Sequence, residues 1–213
     1  MTISRRAFLG TSLAGAVVGS GAMHPKSSSA AEATAGEPVR GDDGLYKQEW
    51  FIDSFLDLKD DLAEAASAGK HFVVLFEQNG CPYCREMHRV NLTKPEIKNY
   101  ITANFSVLQL DLWGSRRVTD FDGKEMGERE LAQRWRITGT PTLVFFPNDP
   151  AKVADKSGRE VEAWRLLGYW KPFHFLSTFV YVRGGHYENQ HFQRFLQARA
   201  DELRAQGKNV ELW

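Results

Sequence analysis

The chain has 213 residues, 42% of them hydrophobic, with 27 Lys plus Arg balanced by 27 Asp plus Glu, and only two cysteines. This length and apolar fraction suit one domain with appendages and exclude wholesale disorder. The balanced charge gives no electrostatic reason for a nucleic-acid partner. Two cysteines exclude both a disulfide-stapled scaffold and a four-thiolate zinc site.

Ser4-Arg5-Arg6-Ala7-Phe8-Leu9 opens the chain, a mildly apolar Gly/Ala/Ser-rich run follows to Met23, and Ala31-Glu32-Ala33 and Ala33-Thr34-Ala35 offer small-residue cleavage sites. That order reads as an export signal over residues 1–35, and the paired arginines resemble the twin-arginine address of bacteria. An uncleaved anchor is the alternative, but the run is short and glycine-rich beside the roughly 20 apolar residues that a span requires. The expected destination is the periplasm. The signal contains Arg5, Arg6 and Lys26 against Glu32. Taking three basic and one acidic side chain from 27 of each leaves 24 and 26, a slightly acidic mature protein.

Residues 36–44 are polar and turn-rich and read as a linker, with one domain expected over 45–213. Apolar spacing predicts a helix over 53–68, capped by Asp53 or Ser54 and stopped at Gly69. The continuous apolar run 72–76 predicts a central strand buried on both faces. A helix is expected over 85–90. Thr93 and Glu96 resemble a capping box that opens a second helix through Tyr100. Alternation predicts a strand over 105–112, Asp122-Gly123 a hairpin turn within 118–124, and further elements follow as a helix over 128–135 and strands over 142–146 and 161–167. Helices are expected near 172–182 and 189–205. The whole is an α/β pattern around a small mixed sheet.

The chemistry centres on Cys81-Pro82-Tyr83-Cys84, which lies between a predicted strand and a predicted helix. The first cysteine then sits at a helix N-terminus, where free N–H groups and the macrodipole favour a thiolate. Pro82 suits the first helical turn. Cys81 is the expected nucleophile, and Cys84 the more buried thiol that resolves the mixed disulfide. Haem attachment would need His after the second cysteine, where Arg85 stands, and a zinc site would need more ligands than nearby His88 supplies. A structural disulfide here would close only a tiny loop.

Downstream, Ile137-Thr138-Gly139-Thr140-Pro141-Thr142 leads into a strand. With the Cys-x-x-Cys, this resembles the thioredoxin superfamily over about residues 53–168. The resemblance implies a thioredoxin-like α/β fold with an insertion before the proline strand and a C-terminal helical extension. It further implies a cis Pro141 against the disulfide, Thr140 pairing through its backbone with substrate, and dithiol exchange without a bound cofactor. Two features depart from thioredoxin itself: Gly80 precedes Cys81, and Leu75 occupies the place of a buried Asp. Glu77 either substitutes for that Asp or is a solvated strand-end carboxylate, the default reading. His88 lies one turn after Cys84 on the same helical face and either influences its thiol or is a surface histidine, the default reading. Glu77-Gln78-Asn79-Gly80-Cys81-Pro82-Tyr83-Cys84 and Gly168-Tyr169-Trp170-Lys171-Pro172-Phe173-His174-Phe175-Leu176 are similar to SoxW-type periplasmic thioredoxins of bacterial sulfur-oxidation gene clusters. That similarity implies a reductase of protein thiols, itself reduced by a membrane thiol-electron carrier. A disulfide-forming oxidant and a non-catalytic binding module are the rival readings, and a monomer is expected.

Two parallel strands around a crossover would share one sheet edge, which would hang the segment 113–126 beside the cysteines. Trp113, Arg116, Arg117 and Phe121 are therefore candidate substrate contacts, alongside Pro82, Tyr83, Thr140 and Pro141. A solvated decorative hairpin is the alternative.

Overall fold

The computed structural model describes residues 37–208 and 210, so the export signal read at 1–35 lies outside the described residues. The centre of the fold is strand β1, His71–Glu77, buried along its whole length. Its neighbours explain why. It pairs in parallel with β2 (Phe105–Asp111) and antiparallel with β5 (Thr142–Phe145), and β5 in turn pairs antiparallel with β6 (Trp164–Leu167). The mixed sheet has the order β2-β1-β5-β6. A small second sheet joins β3 (Arg117–Thr119) to β4 (Glu125–Gly127) across the turn at Asp122-Gly123.

Strand alternation sends side chains to two cores. Phe72, Val74 and Phe76 join helices α1 (Leu58–Ser67) and α4 (Glu128–Arg134) with Phe121, Trp135 and Phe146. Val73 and Leu75 face α3 (Pro95–Asn104) and α7 (Pro172–Arg183), with Phe105, Phe145, Phe175 and Phe179. Each fully buried large side chain contributes about 1.5–3 kcal/mol. The crossover from β1 to β2 runs through α2 (Pro82–Glu86), a π-helical turn at Met87–Asn91, and α3.

Several expected boundaries move, each for a local reason. Helix α1 starts at Leu58, not 53. The Leu56 N–H donates to Ser54 Oγ (2.7 Å), Leu56 has φ 65°, and its carbonyl accepts from the Thr119 N–H. The preceding segment is thus held against the hairpin, and Asp57 caps the helix by accepting from Lys59 and Asp60 N–H groups. Thr93 makes no capping box: its hydroxyl donates to the Arg89 carbonyl (2.7 Å), and Lys94 takes the cap position without a side-chain bond. The expected strand 161–167 splits into helix α6 (Gly158–Val161) and β6. The missed signal was Ser157 with Glu160, whose carboxylate accepts from the Ser157 N–H. A short helix α5 (Pro150–Val153) was also unread, and α8 begins at Phe192 after a 3-10 turn at His186–Glu188. Residues 37–44, expected as a linker, fold back on the chain: the Lys47 N–H donates to the Val39 carbonyl and the Gly41 N–H to that of Leu45.

Candidate active site

The parallel pairing of β1 with β2 sets Glu77 opposite Asp111, so both strands end at one edge of the sheet. The chain leaves β1 there through Gly80, whose φ of 75° suits glycine, and enters α2 at its cap residue Cys81. Cys81 and Cys84 form a disulfide with their Cα atoms 5.3 Å apart. The Cys84 N–H donates to Cys81 Sγ at 3.0 Å, the partner a thiolate at this position would keep. Cys84 is expected to be the more buried thiol; both cysteines are buried, at 3% and 1% exposure. The sulfur is reached over Pro82 and Tyr83, which are exposed.

Across from the disulfide, the Thr140–Pro141 peptide bond is cis. The Thr140 carbonyl lies 3.6 Å from Cys81 Sγ, a contact that becomes a hydrogen bond when the sulfur carries a proton. The loop is pinned from both sides: Thr142 Oγ1 donates to the Gly139 carbonyl (2.6 Å), and the Gly168 N–H donates to the Pro141 carbonyl (2.8 Å). Cys81, Cys84, Thr140 and Pro141 therefore converge, with Pro82 and Tyr83 at the opening.

Trp113 joins them. It is 60% exposed, its indole N–H donates to Gln78 Oε1 (3.0 Å) three residues before Cys81, and Arg129 stacks 5.2 Å from its ring. The other insertion candidates differ. Phe121 is not a surface contact: it is 1% exposed and packed against Phe72, Trp135 and Phe146, because the hairpin helps to close the core. Arg116 is occupied by Glu128 (2.6 Å) and the Gln109 carbonyl (3.1 Å). Arg117 is exposed but pairs with Glu125.

Glu77 and His88 are corrected outright. Neither is solvated; they are 1% and 0% exposed. His88 Nε2 lies 3.1 Å from the Glu77 carboxylate, which also accepts from Gln109 Nε2. The Trp50 indole N–H, which can only donate, bonds Gln48 Oε1 (3.2 Å) and so fixes the orientation of that amide. Gln48 Nε2 then faces His88 Nδ1 at 3.1 Å, making Nδ1 the acceptor and Nε2–H the donor to Glu77. The sequence placed His88 one turn after Cys84 but carried no sign that the strand end would be roofed by Gln48 and Gln109. No cluster of three or more His, Cys, Asp or Glu side chains fit to hold a metal occurs among the described residues, and none of their helices is long and apolar enough to cross a membrane.

The sequence profile of a thioredoxin-like domain family matches residues 58–183. The chain is 26% identical over 124 residues to the thiol:disulfide interchange protein DsbD of Colwellia psychrerythraea, an alignment covering 58% of this chain and 18% of that protein. The chain thus spans less than a fifth of the length of that curated relative. Among solved structures it is similar to a thioredoxin-fold protein of Helicobacter pylori (23% identity, 62% and 86% coverage, TM-score 0.48). It is also similar to a thioredoxin of Thermus thermophilus (28% identity, 59% and 83% coverage, TM-score 0.45).

Proposed function

The chain belongs to the thioredoxin-like domain family, and we propose that it serves as a periplasmic reductase of protein disulfides, acting on proteins of bacterial sulfur oxidation. Thiol–disulfide oxidoreductase is its enzyme class; direction, compartment and client are our reading. One observation carries it: a Cys81–Cys84 pair at a helix start, with the carbonyl of Thr140, next to Pro141, 3.6 Å from Cys81 Sγ.

In the reducing direction the Cys81 thiolate attacks a substrate disulfide, and the second substrate sulfur leaves as a thiolate that takes up a proton. The Cys84 thiolate then attacks Cys81 Sγ in the mixed disulfide. This forms the Cys81–Cys84 disulfide and releases the other substrate thiol. Two electrons and two protons pass to the substrate. A second dithiol, supplied by a membrane thiol-electron carrier, must regenerate the protein. The Thr140 backbone holds the substrate chain as an added strand would, with Pro82, Tyr83 and Trp113 beside it. Paired arginines at Arg5 and Arg6 support export, and the Gly168–Leu176 segment supports the sulfur-oxidation client. The protein is read as a monomer with no bound cofactor.

Replacing Cys84 with Ser tests the reading. In periplasmic extract this variant accumulates reducible covalent partners through Cys81; a binding module accumulates none. Equilibration with glutathione fixes the direction: a reductase settles toward about −270 mV and an oxidant toward about −120 mV.

A further inference from the structure

Behind the active-site edge, between β6 and the start of α8, lies an open cavity of about 900 Å³. Trp164, Trp170, Tyr181, Tyr187, Phe192 and Leu196 line it. Glu188, Asn189, Gln190, His191 and Gln193 border the same hollow, so an apolar wall faces a polar one, a combination that suits a binding site of this size. The aromatic wall is built rather than incidental: Trp164 packs against Tyr181 and Phe192 with ring centroids 4.9 and 5.2 Å apart. The Tyr181 hydroxyl is already spent on the Gln190 carbonyl (2.6 Å). In contrast, the buried indole N–H of Trp164 has no hydrogen-bond partner among the described residues.

Trp170 links the cavity to the sheet edge that carries the cysteines. Leu167, 52% exposed, pairs with Thr142, the residue after Pro141, and the next residue, Gly168, donates to the Pro141 carbonyl. Trp170, 37% exposed, donates its indole N–H back to the Leu167 carbonyl (2.9 Å) and stands on the rim of the cavity. Its own carbonyl accepts from Asn91 (2.8 Å), in the helical segment that continues from the cysteines. Only Tyr169 separates Trp170 from Gly168, a two-residue step of at most about 7 Å of chain, so three or four extended residues of a substrate would bridge Pro141 and the cavity.

We infer that this aromatic cavity is a specificity site of the same reaction, seating a bulky aromatic side chain of the polypeptide substrate three or four residues from its reacting cysteine, with Leu167 and Trp170 as the ridge between. The inference rests on the oxidoreductase reading above. The occupant is a peptide side chain, not a free small molecule, because the rim is continuous with the surface that faces the disulfide.

The probes are glutathione mixed disulfides of single-cysteine nonapeptides. One set carries Trp at the third or fourth position before or after the cysteine; the other has Ala there. The reduced protein should turn over one of the Trp peptides at least about tenfold faster in kcat/KM than its Ala counterpart. Leu196→Arg, which puts a charge in the cavity wall, should cut that preference below about twofold and leave the Ala-peptide rate unchanged. That unchanged rate also reports folding; if the arginine unfolds the chain, Leu196→Trp, which fills the cavity without charge, decides in its place. Equal rates for Trp and Ala peptides, or a preference that survives in the folded cavity variant, would overturn the inference alone. No reaction with any peptide would overturn the oxidoreductase reading and this inference with it.

Discussion

Two carboxylates, Glu77 and Asp120, are buried equally deeply and satisfied in opposite ways. Asp120 lies at the hairpin turn and receives Arg134 (2.9 Å), the Trp135 indole (3.0 Å), the Ser157 hydroxyl (3.1 Å) and the Gly158 and Phe121 N–H groups (3.0 and 2.8 Å). One of these donors is a permanent cation, and together they tie the insertion, α4 and α6 into one unit. Gly158 is needed for the fit, because a Cβ there would come within 2.2 Å of the Trp135 ring. Glu77 pairs with no Lys or Arg among the described residues. It bonds an imidazole and an amide, and the imidazole stands one turn beyond Cys84. The first acid is an anchor held by a cation and four further donors; the second is held by an imidazole and an amide beside the cysteine helix. Burial alone does not distinguish them. The chemistry of the donors does.

The largest effect that would break this contrast comes from Asp120. Asp120→Ala leaves Arg134 and the Trp135 N–H without their buried partner and should cost about 3–5 kcal/mol, read as a lowered denaturation midpoint. Activity per folded molecule should hold. A mild loss would show that the hairpin is decorative after all. Deleting the segment 114–126 is not an equivalent test, because it also removes Val118 and Phe121 from the core.

Glu77→Gln should cost less, about 1–3 kcal/mol, since it loses the carboxylate but can still accept from His88. Its distinguishing readout is the rate of thiol–disulfide exchange per folded molecule, which should fall severalfold in Glu77→Gln and hold in Asp120→Asn. Equal rates in both variants would erase the distinction between the two acids.

A third acid sharpens the comparison by being poorly satisfied. Burial, with Asp57, Glu64 and Asp60 nearby, pushes Asp61 up from 3.8 to about 6 against the opposing bond from Ser54. Because the folded value is raised, the stabilisation is complete below about pH 4 and is lost as pH rises through about 6. Asp61→Asn should therefore stabilise the protein by about 1–2 kcal/mol at pH 7 and by little at pH 4. Melting curves at the two pH values check the sign.

Trp113→Ala should give the smallest effect. An exposed side chain held by one hydrogen bond and one cation–π contact contributes about 1 kcal/mol or less to stability. A severalfold rise in KM for protein substrates, with small disulfides unaffected, would assign it to the client surface. No change with either substrate would assign it to the surface alone.

The sequence by itself determined the α/β class, the place of most strands, the Cys81–Cys84 loop and the order of the motifs. A run such as Phe72–Phe76, short, apolar and rich in β-branched and aromatic residues, reads as a strand covered on both faces, and the Cys81–Cys84 spacing sets both thiols on one helical turn. Tertiary structure alone decided the fates of polar residues whose partners are distant in the chain. Glu77 is buried because Gln109 and His88 meet it, Asp120 because Ser157 and Gly158 arrive 37 and 38 residues later, and Phe121 because its hairpin folds onto Trp135. Local pattern records which groups want water or oil. Whether a carboxylate keeps its water depends on which donors the completed fold brings to it.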